Sequence, residues 1–223
     1  MKQNILIFGA SGHSSVIIDM LEKGKEYNII GYIDSDVKKH GELFMGYKIL
    51  GSKKDLSSIC KENNVYSGLV AIGNNWKRRT VSELIQQEYP GFKFISIIHP
   101  SVQIAKNVKV GEGSVVMGGA IINSNTIIGN HCILNSGCIV EHDCVVNDFS
   151  SIAPGAVIGG NVYIGSNSAI SIGAVVKNNI NIGEASVIGA NSTVLQDIGN
   201  NVVVYGTPAK FIRNRDETEE YLT

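Results

Sequence analysis

Charge of neither sign dominates this chain. Its 19 lysines and arginines stand against 20 acidic residues, a formal net charge of -1. That balance leaves no electrostatic footprint for nucleic acid or for an anionic membrane surface. No apolar stretch approaches the roughly twenty residues that a bilayer span requires. The short segment Ile5-Leu6-Ile7-Phe8 is too brief for the core of a secretory leader, and no small-residue cleavage site follows it. A cytoplasmic protein without membrane insertion is the expectation. The four cysteines support it, and they contain no CxxC pair. The tight GxGxxG dinucleotide fingerprint is also missing.

What the chain has instead is a period. From Ile98 onward every sixth residue is aliphatic for seventeen consecutive steps: Ile98, Ile104, Val110, Val116, Ile122, Ile128, Leu134, Val140, Val146, Ile152, Ile158, Ile164, Ile170, Val176, Ile182, Ile188 and Val194. Apolar residues are about half of an ordinary chain, so chance yields such a run roughly once in a hundred thousand. A strand alternates faces every two residues, so a period of six keeps one register pointing inward. Three hexads make one triangular coil, and stacked coils bury what a lone coil cannot. The pattern predicts a parallel β-helix with the periodic residue, here the slot, on its axis. The position four beyond each slot is small or apolar, as at Ser114, Ala120, Thr126, Cys132, Cys138 and Cys144, and is read as inward near a corner. Cys132, Cys138 and Cys144 then share one layer as packing residues, with a metal site as the alternative. Glycine often follows the slot, as at Gly111, Gly129, Gly159, Gly165, Gly183 and Gly189, where it is expected to let the backbone turn. Pro208 suits a terminus because it cannot donate to another rung. The charged segment from Arg213 to Glu220 is expected to form a frayed or helical end cap.

Residues 3–97 read differently. Ile5–Phe8 is a buried strand, Gly9-Ala10-Ser11-Gly12-His13 a tight turn, and Ser14–Lys23 a helix with Val16, Ile17, Met20 and Leu21 on one face. Asn28–Ile33 is a second strand ending at Asp34. Ser52-Lys53-Lys54-Asp55 starts a helix, Val65–Ile72 is a third strand, and Gly73-Asn74-Asn75 leads into a helix from Trp76 to Glu88. This alternation predicts a small Rossmann-like parallel α/β sheet over 1–97, ahead of the β-helix over 98–212 and a tail over 213–223. Backbone N–H groups of the loop that opens the first helix form an anion site. Asp34, 22 residues beyond Gly12, stands where a carboxylate takes ribose hydroxyls. A nucleotide-diphosphate site and a purely structural turn are both compatible with this loop.

On the coils, Glu141-His142-Asp143 breaks an otherwise inert surface. An adjacent carboxylate orients an imidazole, raises its basicity and stabilises the imidazolium. One coil on from His142 lies Gly160, so the position over the ring has no side chain and is expected to admit a substrate. The alternative is a solvated corner histidine. His131, with no carboxylate beside it, is read as a surface or interface residue. His40 and His99 carry no constellation.

These motifs, with Ala71-Ile72-Gly73-Asn74-Asn75, Asn135, Ile152-Ala153-Pro154-Gly155-Ala156 and Tyr205-Gly206-Thr207-Pro208-Ala209-Lys210, closely resemble a family of bacterial acetyltransferases. It includes nucleotide-sugar 4-amino N-acetyltransferases of surface-glycan and O-antigen biosynthesis and proteins labelled sialic acid O-acetyltransferases. The resemblance covers Ile5 to about Ile212. It implies a left-handed β-helix, a homotrimer with sites between neighbouring β-helices, acetyl-CoA as co-substrate and no metal. It makes His142 the catalytic base, Asp143 its partner and Asn135 an active-site residue. Ser11, Gly12, His13, Asp34, Gly73, Asn74 and Asn75 fall where the nucleotide-linked amino sugar is held. Ser151, Gly160, Ile172, Gly173 and Ala190 fall along acetyl-CoA, with Ser151 replacing a histidine that family members often carry. The implied reaction is acetyl transfer to the amine of a nucleotide-linked 4-amino-4,6-dideoxy sugar. O-acetylation of a sialic or related sugar is one alternative, and a non-catalytic sugar-nucleotide-binding scaffold is another. Zinc carbonic anhydrases also use this β-helix with three histidines, but here His131 and His142 have no third partner.

Overall fold

Parallel pairing of strands in an eighteen-residue register builds the larger part of this protein. In the computed structural model, which describes residues 2–221, Ile121 pairs with Ile139 and Ile139 with Val157, always in parallel register. The strands stack into three sheets. Face A runs from Ile98 through Val115–Val116, Ile133–Leu134, Ser151–Ile152, Ala169–Ile170 and Val187–Ile188. Face B begins at Gln103–Ile104 and reaches Thr193–Val194. Face C begins at Lys109–Val110 and reaches Asn181–Ile182. The result is the parallel β-helix that the hexads predict, of the left-handed kind that the resemblance implies. From Val116 to Val194 all fourteen slot residues are at most 1% exposed. Burying each such side chain stabilises by about 1.5–3 kcal/mol, so the slots supply the core. The first three slots are the exception, Ile98 and Ile104 at 41% and 42% exposed and Val110 partly buried, because no coil lies beneath the first one.

The corners correct the sequence reading of glycine. Left-handed backbone falls three residues beyond the slot, at every sixth residue from Asn107 to Asn191, with φ between 50° and 74°. Asparagine or glycine holds eleven of these fifteen positions; His131, Asp143, Phe149 and Ala185 hold the others. Asparagine tolerates this region better than most residues. The glycines that follow the slot are needed for close approach instead. A Cβ on Gly129 would lie 2.7 Å from the Asp148 amide nitrogen, and one on Gly165 2.6 Å from that of Glu184, each in the next coil. His131 departs from its expected place as well. It is 5% exposed and stacks on Phe149, one coil on, with centroids 5.0 Å apart and planes 3° apart.

The β-helix continues past the last slot. Val202–Tyr205 joins face A in parallel, and Lys210–Asn214 pairs with it antiparallel. The segment expected to fray or turn helical is therefore a strand followed by a turn. There Arg215 is buried and donates to Ala185 O at 2.6 Å and Glu219 O at 2.6 Å.

The second unit comprises the chain up to Gly73 together with Lys77–Ile97, whereas Asn74–Trp76 groups with the coils. Its elements are β1 (Gln3–Phe8), α1 (Gly12–Gly24), β2 (Tyr27–Ile33), β3 (Leu43–Phe44), β4 (Tyr47–Gly51), α2 (Leu56–Asn63), β5 (Ser67–Val70), α3 (Asn75–Glu88) and β6 (Lys93–Phe94). The sheet order is β3-β4-β2-β1-β5-β6, parallel except for the β3–β4 hairpin. The hairpin was not expected; its strands are short, and Met45 and Gly46 turn with φ of 48° and 82°. On α1, Ile17, Ile18, Met20 and Leu21 face the core and Val16 does not. No helix among the described residues is long and apolar enough to cross a membrane.

Candidate active site

Three edges join the faces, and the edge between B and C carries the histidine–carboxylate pair. His142 lies two residues beyond the slot Val140, and Asp143 takes the left-handed corner with φ 57°. This turn brings His142 Nδ1 to 2.8 Å from Asp143 Oδ2, with the two side chains 59% and 51% exposed. A carboxylate only accepts, so this contact makes Nδ1 the donor and, in the neutral ring, leaves the lone pair on Nε2. Asp143 Oδ1 accepts a second bond, from Asn125 Nδ2 at 3.0 Å. These two hydrogen bonds, that of His142 first, hold the Asp143 carboxyl below the usual carboxylate range. Of the two acids flanking the histidine, Asp143 is the one that bonds the ring.

Gly160 lies over the ring, but its role differs from that expected. A Cβ there would sit 2.7 Å from His142 Nε2 and 2.8 Å from Cε1. The imidazole itself fills the space that glycine leaves. A recess of about 250 Å³ opens on the other side of Asp143, lined by Val145, Asn161, Tyr163, Asn179 and Asn181 among others.

The remaining candidates on the coils lie elsewhere. Asn135, Ile172, Gly173 and Ala190 follow slots of face A and share the edge between A and B, as their eighteen-residue register requires. Ile172 and Ala190 are exposed, and Gly173 has φ 66°. Asn135 Nδ2 donates to Ile152 O at 3.0 Å, a bond that Asn147 repeats with Ile164 O at 2.8 Å, so part of its role is to tie coils together. Ser151 is half-buried on face A with its Oγ 3.5 Å from Tyr221 Oη. A single chain thus puts His142, Asp143 and Gly160 on one edge and Asn135, Ile172, Gly173 and Ala190 on another.

In the α/β unit the glycine-rich loop is largely satisfied from within. Gly9 N donates to Ile33 O at 2.9 Å, Ala10 N to Asp34 Oδ2 at 2.7 Å, and Ser11 N to Ser14 Oγ at 2.9 Å. Asp34 therefore clamps the loop to the end of β2, a structural duty beside the ribose contact expected of it. Gly12 and His13 open α1, where backbone N–H groups lack helical partners. Burial, and then the charge of Arg78, push the His13 imidazole down to about 4, so it is neutral near pH 7. Its Nε2 is buried without a hydrogen-bond partner. Arg78 is 1% exposed and donates to Ile72 O at 2.9 Å and Gly73 O at 3.0 Å, fixing the loop after β5. Sequence reading missed Arg78, an ordinary-looking residue on a polar helix. Asn75 belongs with the coils: it is buried, and its Nδ2 donates to Ser168 O at 3.0 Å and Asn167 O at 3.3 Å. Asn74 lies beside it in the same turn.

A β-helix of hexads with a histidine–carboxylate pair on an edge, following a parallel α/β sheet, defines a class of acyl-transferring enzymes. Residues 4–85 match the PglD N-terminal domain family, and residues 125–160 match the bacterial transferase hexapeptide (six repeats) family. PerB from Caulobacter crescentus, solved in complex with CoA and GDP-perosamine, is 30% identical with a TM-score of 0.87 over 94% of this chain and 97% of that one. The acetyltransferase domain of PglB from Neisseria gonorrhoeae FA1090, in complex with acetyl coenzyme A, is 30% identical with a TM-score of 0.85 over 95% and 100%. UDP-N-acetylbacillosamine N-acetyltransferase from Bacillus subtilis (strain 168) is 32% identical over 117 residues, 52% of this chain and 51% of that protein, so the match spans about half of that relative's length. The chain belongs to this family of nucleotide-sugar N-acetyltransferases.

Proposed function

We propose that the protein transfers the acetyl group of acetyl-CoA to the 4-amino group of a nucleotide-linked 4-amino-4,6-dideoxy sugar, with His142 as general base, in bacterial surface-glycan biosynthesis. The observation that carries this reading is the 2.8 Å contact of His142 Nδ1 with Asp143. It leaves Nε2 as a proton acceptor on an exposed edge, backed by a negative charge that stabilises the imidazolium once formed. The amine attacks the thioester carbonyl, a C–N bond forms, and the C–S bond breaks. Nε2 takes the proton that the amine loses, and the departing thiolate is protonated in turn. General-base help of this kind is worth about 10²–10⁴ in rate. Backbone N–H groups of the coils are the candidate donors to the developing oxyanion. Buried thiols are poor nucleophiles, and burial pushes Cys138 up to about 12, so direct attack by the amine is favoured over an acyl-cysteine.

On the acceptor side, His13 is neutral and does not repel an ammonium or compete for its proton. Gly12 and the backbone of His13 present the start of α1 to a phosphate. The divided edges support a site assembled from neighbouring copies, as expected of a homotrimer. The test is thiol release from acetyl-CoA with GDP-, UDP- and dTDP-linked 4-amino sugars, and with hydroxyl-bearing sugars in a parallel arm. Turnover of an amino sugar is expected, with kcat of His142→Ala lower by at least about 10² and the oligomer intact. Near-normal turnover in that variant removes His142 from the mechanism, preference for a hydroxyl acceptor replaces N- by O-acetylation, and nucleotide binding without thiol release points to a scaffold.

A further inference from the structure

We propose that Asn125 is a positioning residue for the His142–Asp143 pair, with the direction of its amide set by the carboxylate it serves. This deepens the reading of His142 as the base and rests on it.

The left-handed corner of the edge between B and C is a column of Asn107, Asn125, Asp143, Asn161 and Asn179, eighteen residues apart. Asparagine meets the backbone demand at the other four of these corners, and it would do so at 143. The fold therefore does not require the lone carboxylate in the column. A ladder of amides leads to it from below. Asn107 Nδ2 donates to Asn125 Oδ1 at 3.1 Å, and Asn125 Nδ2 donates to Asp143 Oδ1 at 3.0 Å. Asp143 Oδ2 faces His142 Nδ1. Above the pair the ladder starts afresh, since Asn161 Nδ2 donates onward to Asn179 Oδ1 at 2.7 Å.

Direction in the lower ladder follows from elementary electrostatics. A reversed Asn125 would set its carbonyl oxygen against the carboxylate and its N–H groups against those of Asn107. The contact with the carboxylate is repulsive whichever way Asn107 turns, so Asp143 selects one orientation of Asn125 and the Asn107 amide follows it. One hydrogen bond leaves a carboxylate free to rotate about its Cβ–Cγ bond. A second bond on the opposite oxygen fixes the plane, and with it the oxygen that holds the imidazole tautomer. The three ladder residues are exposed, where hydrogen bonds add little to folding stability. Orientation of the carboxylate is what the arrangement achieves.

The test uses Asn125→Gly and Asp143→Gly, which keep the left-handed backbone free of strain, and the double variant. Side-chain ¹⁵N NMR at pH 8.5, without substrate, reads the tautomer of His142, assigned by the signal absent in His142→Ala. The wild-type ring is expected as the Nδ1–H form, and Asn125→Gly as a mixture of both neutral forms with an unchanged thermal midpoint. In the thiol-release assay Asn125→Gly is expected to lower kcat about tenfold with both KM values within about twofold. The same substitution is expected to add no further loss to Asp143→Gly. An unchanged tautomer in Asn125→Gly, or a loss that multiplies with that of Asp143→Gly, overturns the assignment. Full turnover in His142→Ala removes the base reading instead, and the tautomer measurement still decides the role of Asn125.

Discussion

Two neighbouring glycines with opposite duties meet one coil above His142. A methyl group on Gly159 would lie 2.7 Å from the amide nitrogen of Asn178, and backbone on both sides cannot yield. One on Gly160 would meet the far end of the His142 ring, which is exposed and can swing away. Gly159→Ala is expected to destabilise by about 1–3 kcal/mol, as overpacking does. Gly160→Ala is expected to leave the thermal midpoint nearly unchanged and lower kcat at least tenfold, because the ring leaves its place against Asp143 and an ångström of misplacement costs about 10². Thermal melts and thiol release on the two variants check this, and full activity in Gly160→Ala would show that the ring position is not critical. The sequence does show that position 160 is bare above His142. It does not show what fills the gap, because the χ angles of His142 depend on a corner conformation invisible to a six-residue count. Asn125 escaped notice for a related reason: its partner stands eighteen residues away, and one more asparagine at a corner looks like backbone chemistry alone.

The same register gives each inward corner column its own character. Along the edge between C and A the column reads Ser114, Cys132, Ser150, Ser168 and Ser186. Each donates to a carbonyl of the next coil, as Ser150 does to Gly165 O at 2.8 Å and Cys132 to Asn147 O at 3.1 Å. Serine hydroxyls also accept from the coil above, as from Cys132 N at 2.9 Å and Ser186 N at 3.0 Å. The column through Cys138 reads Val102, Ala120, Cys138, Ala156, Ala174 and Ser192, and the residues directly below and above Cys138 are alanines at 0% exposure. Cys132→Ser extends a ladder of hydroxyls and is expected to change stability by less than about 0.5 kcal/mol. Cys138→Ser places a hydroxyl among methyl groups and is expected to cost about 1–3 kcal/mol, or a fall of several degrees in Tm. Equal effects would mean that the two columns do not differ in polarity. Element by element, the slots were legible because burial alone decides them. The β3–β4 hairpin and the final antiparallel strand were not, because two- to five-residue strands carry too few alternations to register. Those features rest on turn geometry at Met45-Gly46 and on pairing with strands far away in sequence.

At the scale of the whole molecule the proposed function is constrained by the division of its candidate residues between two edges. His142 and Asp143 stand on one edge of the coil, and Ile172, Gly173 and Ala190 on another. A ligand that touches both sets within one copy would have to round a face, whereas two copies packed about a symmetry axis bring unlike edges together. Variants that disable one edge each should therefore rescue one another. His142→Ala removes the base. Ile172→Glu places a charge on a side chain that is 60% exposed, so it perturbs the second edge with little cost to the fold. Each alone is expected to be nearly inactive. Co-expressed in equal amounts and mixed at random, half of the copies carry an intact His142 and half of their neighbours an intact Ile172. About a quarter of the sites then join two intact edges, and about a quarter of wild-type kcat per site should return. The quarter follows from pairing statistics and holds for any closed ring in which each site uses one edge from each of two copies. Sites confined to one chain would leave the mixture as inactive as its components, and that outcome would overturn assembly of the site from two copies.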